Sequence, residues 1–560
     1  MLINKKKLRI AAEPIVLFFS VLSIIAVAYY ILFPAKGEFS SDSTDTLMWA
    51  VASYKSGALF SKTFNYAGLI PFGGQLIMLP LVAIFGESYT ANAIGMLIFF
   101  LLFVISAYFM LKQLRLSQNW SLFTVAILIL FLSTSGKLRE IFWQHIIYYS
   151  LGVFFTFVGM NLVYRLIGAL HTSKKLPFDK KSLVYLILTA LWYMLCATDR
   201  LESLTIFIIP SMGGLFGILA FDFRHRKDKR LTQSYAITLI DVIISTGIGY
   251  IIGGILEKGF YAGYEKGYSA MCSPDKWNEN LMSFFKQWCY LLDVNKNVEN
   301  IYILSKDGII AVIRIFTGLF ILAAPIVATC LWKKINDVRF RIFIILHWTL
   351  TILIMSGYVF TYISSASWRI SPIMCTCIII TMLLIHWFYK NDEYRVMAYL
   401  AIIPMIITSV ISLAGIYEMP VNYNQKGNIL FSAMDFLEDN NLTYGYATFW
   451  NANSITVLSG DKIKIRSITL EDDGTYSEYS YQQDKEWYNG DDSVSQYFVL
   501  MTVSEYDLAS ANDNILIQTC SKKYMQSDFY VLVYDKNIFD NKGQTTQETS
   551  VLSKSWRGNW

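Results

Sequence analysis

Apolar stretches long enough to cross a bilayer alternate with short polar segments along the first 416 residues. A spanning helix needs about 20 residues, because each residue adds about 1.5 Å across a hydrocarbon core of about 30 Å. The pattern predicts about eleven spans, near 14–34, 91–111, 118–134, 147–168, 182–197, 204–221, 235–256, 307–331, 341–361, 370–389 and 396–416. A further stretch, Leu69–Phe85, is short and interrupted by Pro71, Gly73, Gly74 and Pro80, so a re-entrant or interfacial helix is expected there.

The distribution of basic residues predicts the orientation of these spans, because short cytoplasmic loops retain Lys and Arg. If Leu69–Phe85 does not cross, every dense basic cluster lies on one side of the membrane. These clusters are in the segments 112–115, 174–181, 224–230, 333–341 and 390–395. We therefore expect a cell-membrane protein with its N-terminus inside, outer loops at 35–90 and 257–306, and an extracytoplasmic C-terminal region.

After residue 416 the apolar stretches become short and resemble strands separated by polar turns. The predicted strands are YGYATF, SITVL, KIKIRSI, YFVLMTV, NILIQ and FYVLVY, and NILFSAMDFLED is predicted to be a helix. We therefore divide the chain into a transmembrane domain at 1–416, a soluble domain at 417–540 and a polar tail at 541–560. The soluble domain is expected to have an α/β or α+β fold.

Composition excludes a soluble globular protein. The chain is 54% hydrophobic and only 16% charged, and a soluble interior of this size could not bury so much apolar surface. Its seven cysteines lack the CxxC or Cys/His spacing of a zinc site. Cys272 and Cys289 share the outer loop 257–306, where the sequence is compatible with a disulfide and with two free thiols.

Candidate chemistry lies in the ionisable residues at the predicted outer ends of spans, since charge in hydrocarbon costs a few kcal/mol unless it faces a cavity or a partner. In SSDSTDTLMWAVASYKSG, Asp42 and Asp45 precede an amphipathic helix. A carboxylate at the membrane surface can act as general base towards a hydroxyl acceptor. The alternative is that Asp42, Asp45 or the Ser and Thr beside them cap that helix.

A second group, GKLREIFWQH, contains Lys137, Arg139, Glu140, Gln144 and His145. These polar groups are too many for a plain turn that faces lipid. The ordinary alternative for the two cations is that they reach the lipid headgroups. For His145 a cavity-facing role and a packing role both remain open.

Two more groups lie on the same predicted face. TDRLES holds Asp199, Arg200 and Glu202 in a very short loop, where they either contact substrate or form an ion pair that closes the hairpin. SSASWRISP places Arg369 at the outer start of a span. Its planar guanidinium suits phosphate oxygens, and headgroup anchoring with Trp368 is the alternative.

This arrangement resembles the GT-C superfamily of multi-span glycosyltransferases, which take sugars from polyprenyl-phosphate carriers. In its protein O-mannosyltransferases and aminoarabinose transferases, an Asp follows the first span and precedes an amphipathic segment and a Pro-containing outer helix. Asp45 followed by WAVASYKSG and LIPFGG is similar to that pattern. Those enzymes usually have Asp-Glu and His-Pro-Pro where this chain has Asp45-Thr46 and Ile70-Pro71-Phe72, which points to a divergent bacterial branch.

The resemblance implies a catalytic role for Asp45, with Asp42 as the nearest substitute. It also implies that Arg139 is the basic residue of the second outer segment and that Arg369 contacts the lipid phosphate, whereas Asp199, Arg200 and Glu202 match no family motif closely. The implied partners are a polyprenyl-phosphate-linked sugar, a glycan, lipid or protein acceptor in the cell envelope, and membrane lipid, with no nucleic acid. No cofactor is assigned, although Asp42, Asp45, Glu140, His145 and Glu202 could ligate a divalent metal if the fold brings them together.

Two other classes remain as alternatives. A secondary transporter would also be polytopic with charged residues at membrane depth. Against it, the sequence has no internal repeat, and the middle of the spans is nearly free of acids apart from Asp241. The other alternative is a flippase-like or non-catalytic membrane assembly partner, in which the C-terminal domain is a docking module.

Overall fold

The computed structural model describes residues 5–173, 179–221, 228–260, 270–294, 300–363, 366–421, 429–491 and 493–540. The chain forms two compact units. The transmembrane unit consists of Met1–Lys62 and Tyr66–Gln425, and the C-terminal unit consists of Thr63–Asn65 and Lys426–Trp560. The predicted polar tail at 541–560 lies outside the described residues.

The described part of the transmembrane unit is helical apart from its loops. Its helices are α1 (Lys5–Leu32), α2 (Asp45–Ser56), α3 (Gln75–Phe85), α4 (Tyr89–Gln113), α5 (Gln118–Phe131), α6 (Gly136–Trp143), α7 (Tyr148–Thr172), α8 (Lys180–Ala197), α9 (Leu201–Ser203), α10 (Ile209–Phe221), α11 (Lys229–Leu256), α12 (Pro274–Leu291), α13 (Lys306–Cys330), α14 (Val338–Phe360), α15 (Ser371–Lys390) and α16 (Arg395–Glu418). A π-helical segment, Leu204–Ile208, joins α9 to α10.

The predicted spans are confirmed as helices. Among the described residues, ten helices are long and apolar enough to cross a membrane, and an eleventh candidate is the pair α5 and α6. The fold is therefore that of an α-helical polytopic membrane protein. Helix α15 is buried along nearly its whole length, because other spans surround it on every side.

The pair α5 and α6 has the geometry of a broken span or a re-entrant loop. Its two helices meet at an angle of 117°. Near the start of α5, the Trp120 ring lies 5.6 Å from that of Tyr389 at the end of α15. On α6, the Lys137 ammonium lies 5.0 Å from the Trp368 ring, just before α15 begins. If α15 crosses the bilayer, these contacts with both of its ends favour a pair that crosses as well.

The ambiguous stretch Leu69–Phe85 becomes helical only from Gln75. The resulting helix α3 has 11 residues. At about 1.5 Å per residue it is too short to cross a bilayer by itself. The preceding residues instead form an irregular segment, which holds Pro71 and Gly74.

The C-terminal unit contains a mixed sheet, which fits the predicted α/β or α+β class. Its elements are β1 (Phe64–Asn65), α17 (Ile429–Asp439), β2 (Tyr444–Ala447), α18 (Phe449–Leu458), β3 (Lys464–Leu470), β4 (Tyr476–Glu478), β5 (Gln483–Asp484), β6 (Tyr497–Thr502), α19 (Val503–Ala511), α20 (Ile515–Thr519), β7 (Lys522–Met525) and β8 (Phe529–Tyr534). The strand order is β4-β3-β2-β6-β8-β7. Strand β2 is parallel to both β3 and β6, the other pairs are antiparallel, and β1 pairs with β5.

Two predicted strands of this unit are wrong. SITVL lies in α18 because the parallel strands β2 and β3 need a crossover connection, and this requirement overrides the strand preference of Ile and Val. NILIQ lies in α20, where the Asn514 side chain accepts a hydrogen bond from the backbone of Leu516 and begins a helix. The short strands β4, β5 and β7 were not predicted, because their polar sequences lack the apolar alternation of a strand.

Cys272 and Cys289, which share the predicted outer loop 257–306, are both free thiols. Cys272 is buried beside the backbone of Val359 and the side chain of Asn280. Of the two arrangements compatible with the sequence, the structure has the free thiols.

Candidate functional site

Asp42 and Asp45 lie in a tight turn between α1 and α2. Residues Asp42–Thr44 form one turn of 3-10 helix, and Asp45 is the first residue of α2 and is 2% exposed. Thr44 is the N-cap residue and its side chain makes no capping hydrogen bond. Its hydroxyl donates instead to the Ser41 carbonyl, at 2.7 Å. Of the four residues expected as possible caps, Thr44 thus takes the N-cap position without a capping hydrogen bond from its side chain.

Asp42 is partly buried in this turn, close to other charges. Burial raises the pKa of the Asp42 carboxyl from 3.8 to about 6. The negative charge of Glu140 adds to this increase, and the positive charge of Lys137 opposes it. A carboxyl with a pKa near neutrality exchanges protons readily at physiological pH, as a general base must.

The Arg139 guanidinium binds the carboxylate of Glu38, which was not predicted to belong to the site. Glu38 receives two hydrogen bonds from Arg139, from Nε to Oε2 at 3.0 Å and from Nη2 to Oε1 at 2.5 Å. The remaining terminal nitrogen, Nη1, donates to the Ser133 carbonyl at 3.1 Å. Glu38 lies in the same predicted outer loop as Asp42, and its charge directly after a span was the available signal. Arg139 is therefore engaged inside the protein.

The loop after α6 contacts the turn of Asp42 and Asp45 (the aspartate turn). The His145 Nδ1 atom lies 3.2 Å from the Asp42 carbonyl oxygen, and the Ile146 N–H donates to the Thr46 hydroxyl at 3.1 Å. Because a carbonyl only accepts, Nδ1 carries the proton and Nε2 is left as an acceptor. Burial lowers the pKa of His145, so the ring is neutral at pH 7.

Lys137, on α6, connects this region to the turn that holds Arg369. The Lys137 ammonium donates to both Glu140 oxygens, at 2.8 and 2.9 Å, and lies over the Trp368 ring. Lys137 therefore pairs within the protein, unlike a lysine that only reaches the headgroups. The neighbouring residue, Arg369, is half-buried, and its Nη1 donates to the Tyr149 hydroxyl at 3.4 Å.

The third group is arranged differently from the predicted hairpin ion pair. Arg200 pairs with Glu257 at the end of α11, with Nη1 and Oε2 3.0 Å apart, and its Nη2 donates to Tyr250. Burial raises the pKa of Asp199 well above its usual range, and the charges of Glu202 and Glu257 add to this increase. Neither Asp199 nor Glu202 is the ion-pair partner of Arg200, so the hairpin interpretation is wrong.

Asp199 binds the irregular segment before α3. Its Oδ1 accepts a hydrogen bond from the Phe72 N–H at 2.9 Å. Two residues later, a Cβ at Gly74 would overlap the side chain and carbonyl oxygen of Ile146. The segment Phe72–Gly74 thus contacts both the TDRLES loop and the loop that binds the aspartate turn.

The structure thus joins three of the four predicted groups by direct contact: Asp42 and Asp45, the α6 segment, and the turn with Arg369. The group of Asp199, Arg200 and Glu202 is connected to them through the segment Phe72–Gly74. Within the described ranges, no three His, Cys, Asp or Glu side chains are placed to hold a metal ion.

No protein-family model matches this chain, and no curated protein matches it in sequence. Solved structures to which it is similar include the oligosaccharyltransferase of Archaeoglobus fulgidus in its apo form, with a TM-score of 0.48 at 9% identity over 89% of this chain and 71% of that one. The same enzyme with zinc and sulfate has a TM-score of 0.47 at 11% identity, over 80% and 62% of the two chains. The Archaeoglobus fulgidus oligosaccharyltransferase AglB with an inhibitory peptide and a dolichol-phosphate has a TM-score of 0.44 at 10% identity, over 80% and 63%.

Proposed function

We propose that this protein is a glycosyltransferase that moves a sugar from a polyprenyl-phosphate carrier to an acceptor hydroxyl at the outer face of the cell membrane. One observation carries the proposal. The contacts from Asp42 to His145 and from Lys137 to Trp368 gather carboxylates and cations from three distant segments at the ends of spans. Charges at that depth are costly unless they have a use or a partner.

Asp45 is the proposed general base, with Asp42 as the nearest substitute. The base removes the proton of the acceptor hydroxyl while the acceptor oxygen bonds to the anomeric carbon of the sugar. The bond from that carbon to the phosphate oxygen breaks, and the electron pair leaves with the polyprenyl phosphate. Because the donor is already activated, no nucleotide is required at the outer face.

Arg369 is the proposed ligand of the departing phosphate, because its planar guanidinium offers paired N–H donors and it follows Trp368, the residue that Lys137 contacts. Among the other candidates, Glu140 and His145 are proposed to contact the sugar or the acceptor. We assign Asp199, Arg200 and Glu202 to the boundary of the same site, where Asp199 holds the segment Phe72–Gly74. The acceptor is proposed to be a glycan, lipid or protein of a bacterial cell envelope.

The deciding experiment is transfer by the purified protein, in lipid, from a panel of polyprenyl-phosphate sugars. Asp45→Asn keeps the shape of the side chain but removes the base, so turnover should fall by about 100-fold or more while the melting temperature stays close to that of wild type. Asp307→Asn, at an exposed carboxylate in the first turn of α13, is the matched control and should retain turnover.

Two outcomes would contradict the proposal. One is a wild-type protein that transfers no sugar from any donor of the panel, as expected for a transporter or an assembly partner. The other is an Asp45→Asn variant that turns over at the wild-type rate. As a further check, Arg369→Gln should raise the KM for the lipid-linked donor more than it lowers kcat, because the arginine is assigned to donor binding.

A further inference from the structure

Arg139 and Glu38 form a closed ion pair next to the aspartate turn. Arg139 is 8% exposed, and both oxygens of Glu38 bind its guanidinium. Its third nitrogen donates to the Ser133 carbonyl, and its carbon lies 5.4 Å from the ring centroid of Tyr30. The three nitrogens of the guanidinium thus all have acceptors within the protein, and the Glu38 carboxylate balances the positive charge of Arg139.

A chain of hydrogen bonds leads from this pair to the aspartate turn. The Tyr30 hydroxyl donates to Glu38 Oε2 at 2.6 Å and accepts from the Gln144 amide at 2.6 Å. Gln144 Oε1 in turn accepts from the Ser43 hydroxyl at 2.8 Å. Ser43 lies between the two aspartates, and Gln144 is 2% exposed.

The Glu38 carboxylate determines which group donates and which accepts in every hydrogen bond of this chain. A carboxylate only accepts, so Tyr30 must donate to it and use its own oxygen to accept from Gln144. The amide nitrogen of Gln144 is then committed to Tyr30, which leaves its carbonyl oxygen for the Ser43 hydroxyl. Such buried networks order a site when every member is satisfied, and they are disrupted when one member changes.

We propose that Glu38 is a positioning residue, which with Arg139 orients Tyr30, Gln144 and Ser43 and thereby holds the Asp42–Asp45 turn in its reactive geometry. Arg139 then acts as the partner of Glu38 and does not bind the donor phosphate. The inference rests on the proposed function, since it assigns the base to this turn.

The closing experiment compares Glu38→Gln and Tyr30→Phe with wild type in the same transfer assay. Glu38→Gln places an N–H donor where the network needs an acceptor, and Tyr30→Phe breaks the chain while leaving the ion pair in place. Both should lower kcat by about 10-fold to 100-fold with the donor KM within twofold, because a base misplaced by about 1 Å costs turnover on this scale. Glu38→Asp should lower kcat less than Glu38→Gln does.

Asp293→Asn is the matched control, because Asp293 pairs with Arg314 at 2.6 Å in the outer loop before α13. It should leave kcat unchanged. If Arg139 instead binds the donor phosphate, Glu38→Gln frees the guanidinium and lowers the donor KM, which would overturn the inference. Unchanged kcat in both Glu38→Gln and Tyr30→Phe would overturn it too, whereas absence of transfer by wild type contradicts the proposed function itself.

Hydrogen exchange of the unliganded protein supplies a readout that does not need turnover. Both variants should speed amide exchange in residues 42–47 and 144–146, since the network holds these two segments together. Asp293→Asn should not. Unchanged exchange in these segments would show that the network does not order the turn.

Discussion

Asp42 shows how a single buried carboxyl responds to its surroundings. Its pKa rises from 3.8 to about 6, first because burial disfavours the charge and then because Glu140 is negative. The folded protein therefore binds a proton between about pH 4 and pH 6 that the unfolded chain does not bind. The stability that this proton contributes is fully present below pH 3.8 and is lost as the pH rises through about 6.

Asp42→Asn should remove this dependence on pH, because the amide stays neutral. Above pH 6 the variant should be more stable than wild type by up to about 3 kcal/mol, and below pH 4 the two should be equal. Thermal unfolding from pH 4 to pH 8 checks this prediction. A difference in melting temperature that stays constant over that range would show that ionisation of Asp42 is not the cause.

At the scale of elements, the segment before α3 is positioned by close backbone contact. Asp199 binds the Phe72 N–H on one side, and Gly74 lies against Ile146 on the other. Only a residue without a Cβ fits at Gly74, because the added atom would overlap the side chain and carbonyl oxygen of Ile146. The glycine therefore has a steric role, which the sequence showed only as an interruption of an apolar stretch.

Gly74→Ala should destabilise the protein by about 1–3 kcal/mol and reduce transfer, because overpacking displaces the loop that holds the aspartate turn. Gly247→Ala, in α11, is the control, since a Cβ there meets nothing within 4 Å. Melting temperature and transfer rate measured for both variants check the prediction. Equal effects of the two substitutions would mean that Gly74 is not closely packed.

At the scale of the whole molecule, the bent pair α5–α6 decides on which side of the membrane each later loop lies. If the pair crosses the bilayer, eleven crossings place the N-terminus inside and the C-terminal unit outside, and the basic loops then stay inside. If it did not cross, every later loop would change sides. Its contacts with both ends of α15 support the crossing.

Single cysteines introduced into a cysteine-free variant test this topology with a membrane-impermeant maleimide. Glu279→Cys, on exposed α12, and Ser510→Cys, in the C-terminal unit, should be labelled in intact cells. Lys333→Cys, in an exposed basic loop, should be labelled only after permeabilisation. Labelling of Lys333→Cys in intact cells would contradict the proposed orientation and, with it, the proposed reaction at the outer face.

The sequence alone determined the long apolar helices of the transmembrane unit. A span must satisfy its backbone hydrogen bonds internally and present about 20 apolar residues to lipid, and both requirements are local properties of the chain. The two wrong strands, SITVL and NILIQ, have different causes. SITVL is helical because the parallel strands β2 and β3 need a crossover connection, and NILIQ is helical because the Asn514 side chain begins a helix there.

Only the tertiary structure decided which charges pair. Arg139 binds Glu38, 101 positions away, and Arg200 binds Glu257, 57 positions away, and neither partner was predicted. No local pattern encodes such pairs, because the energy of a buried charge depends on what the packed helices place beside it. The sequence therefore predicted which residues carry the candidate chemistry, and the folded chain determined which of their charges pair with each other.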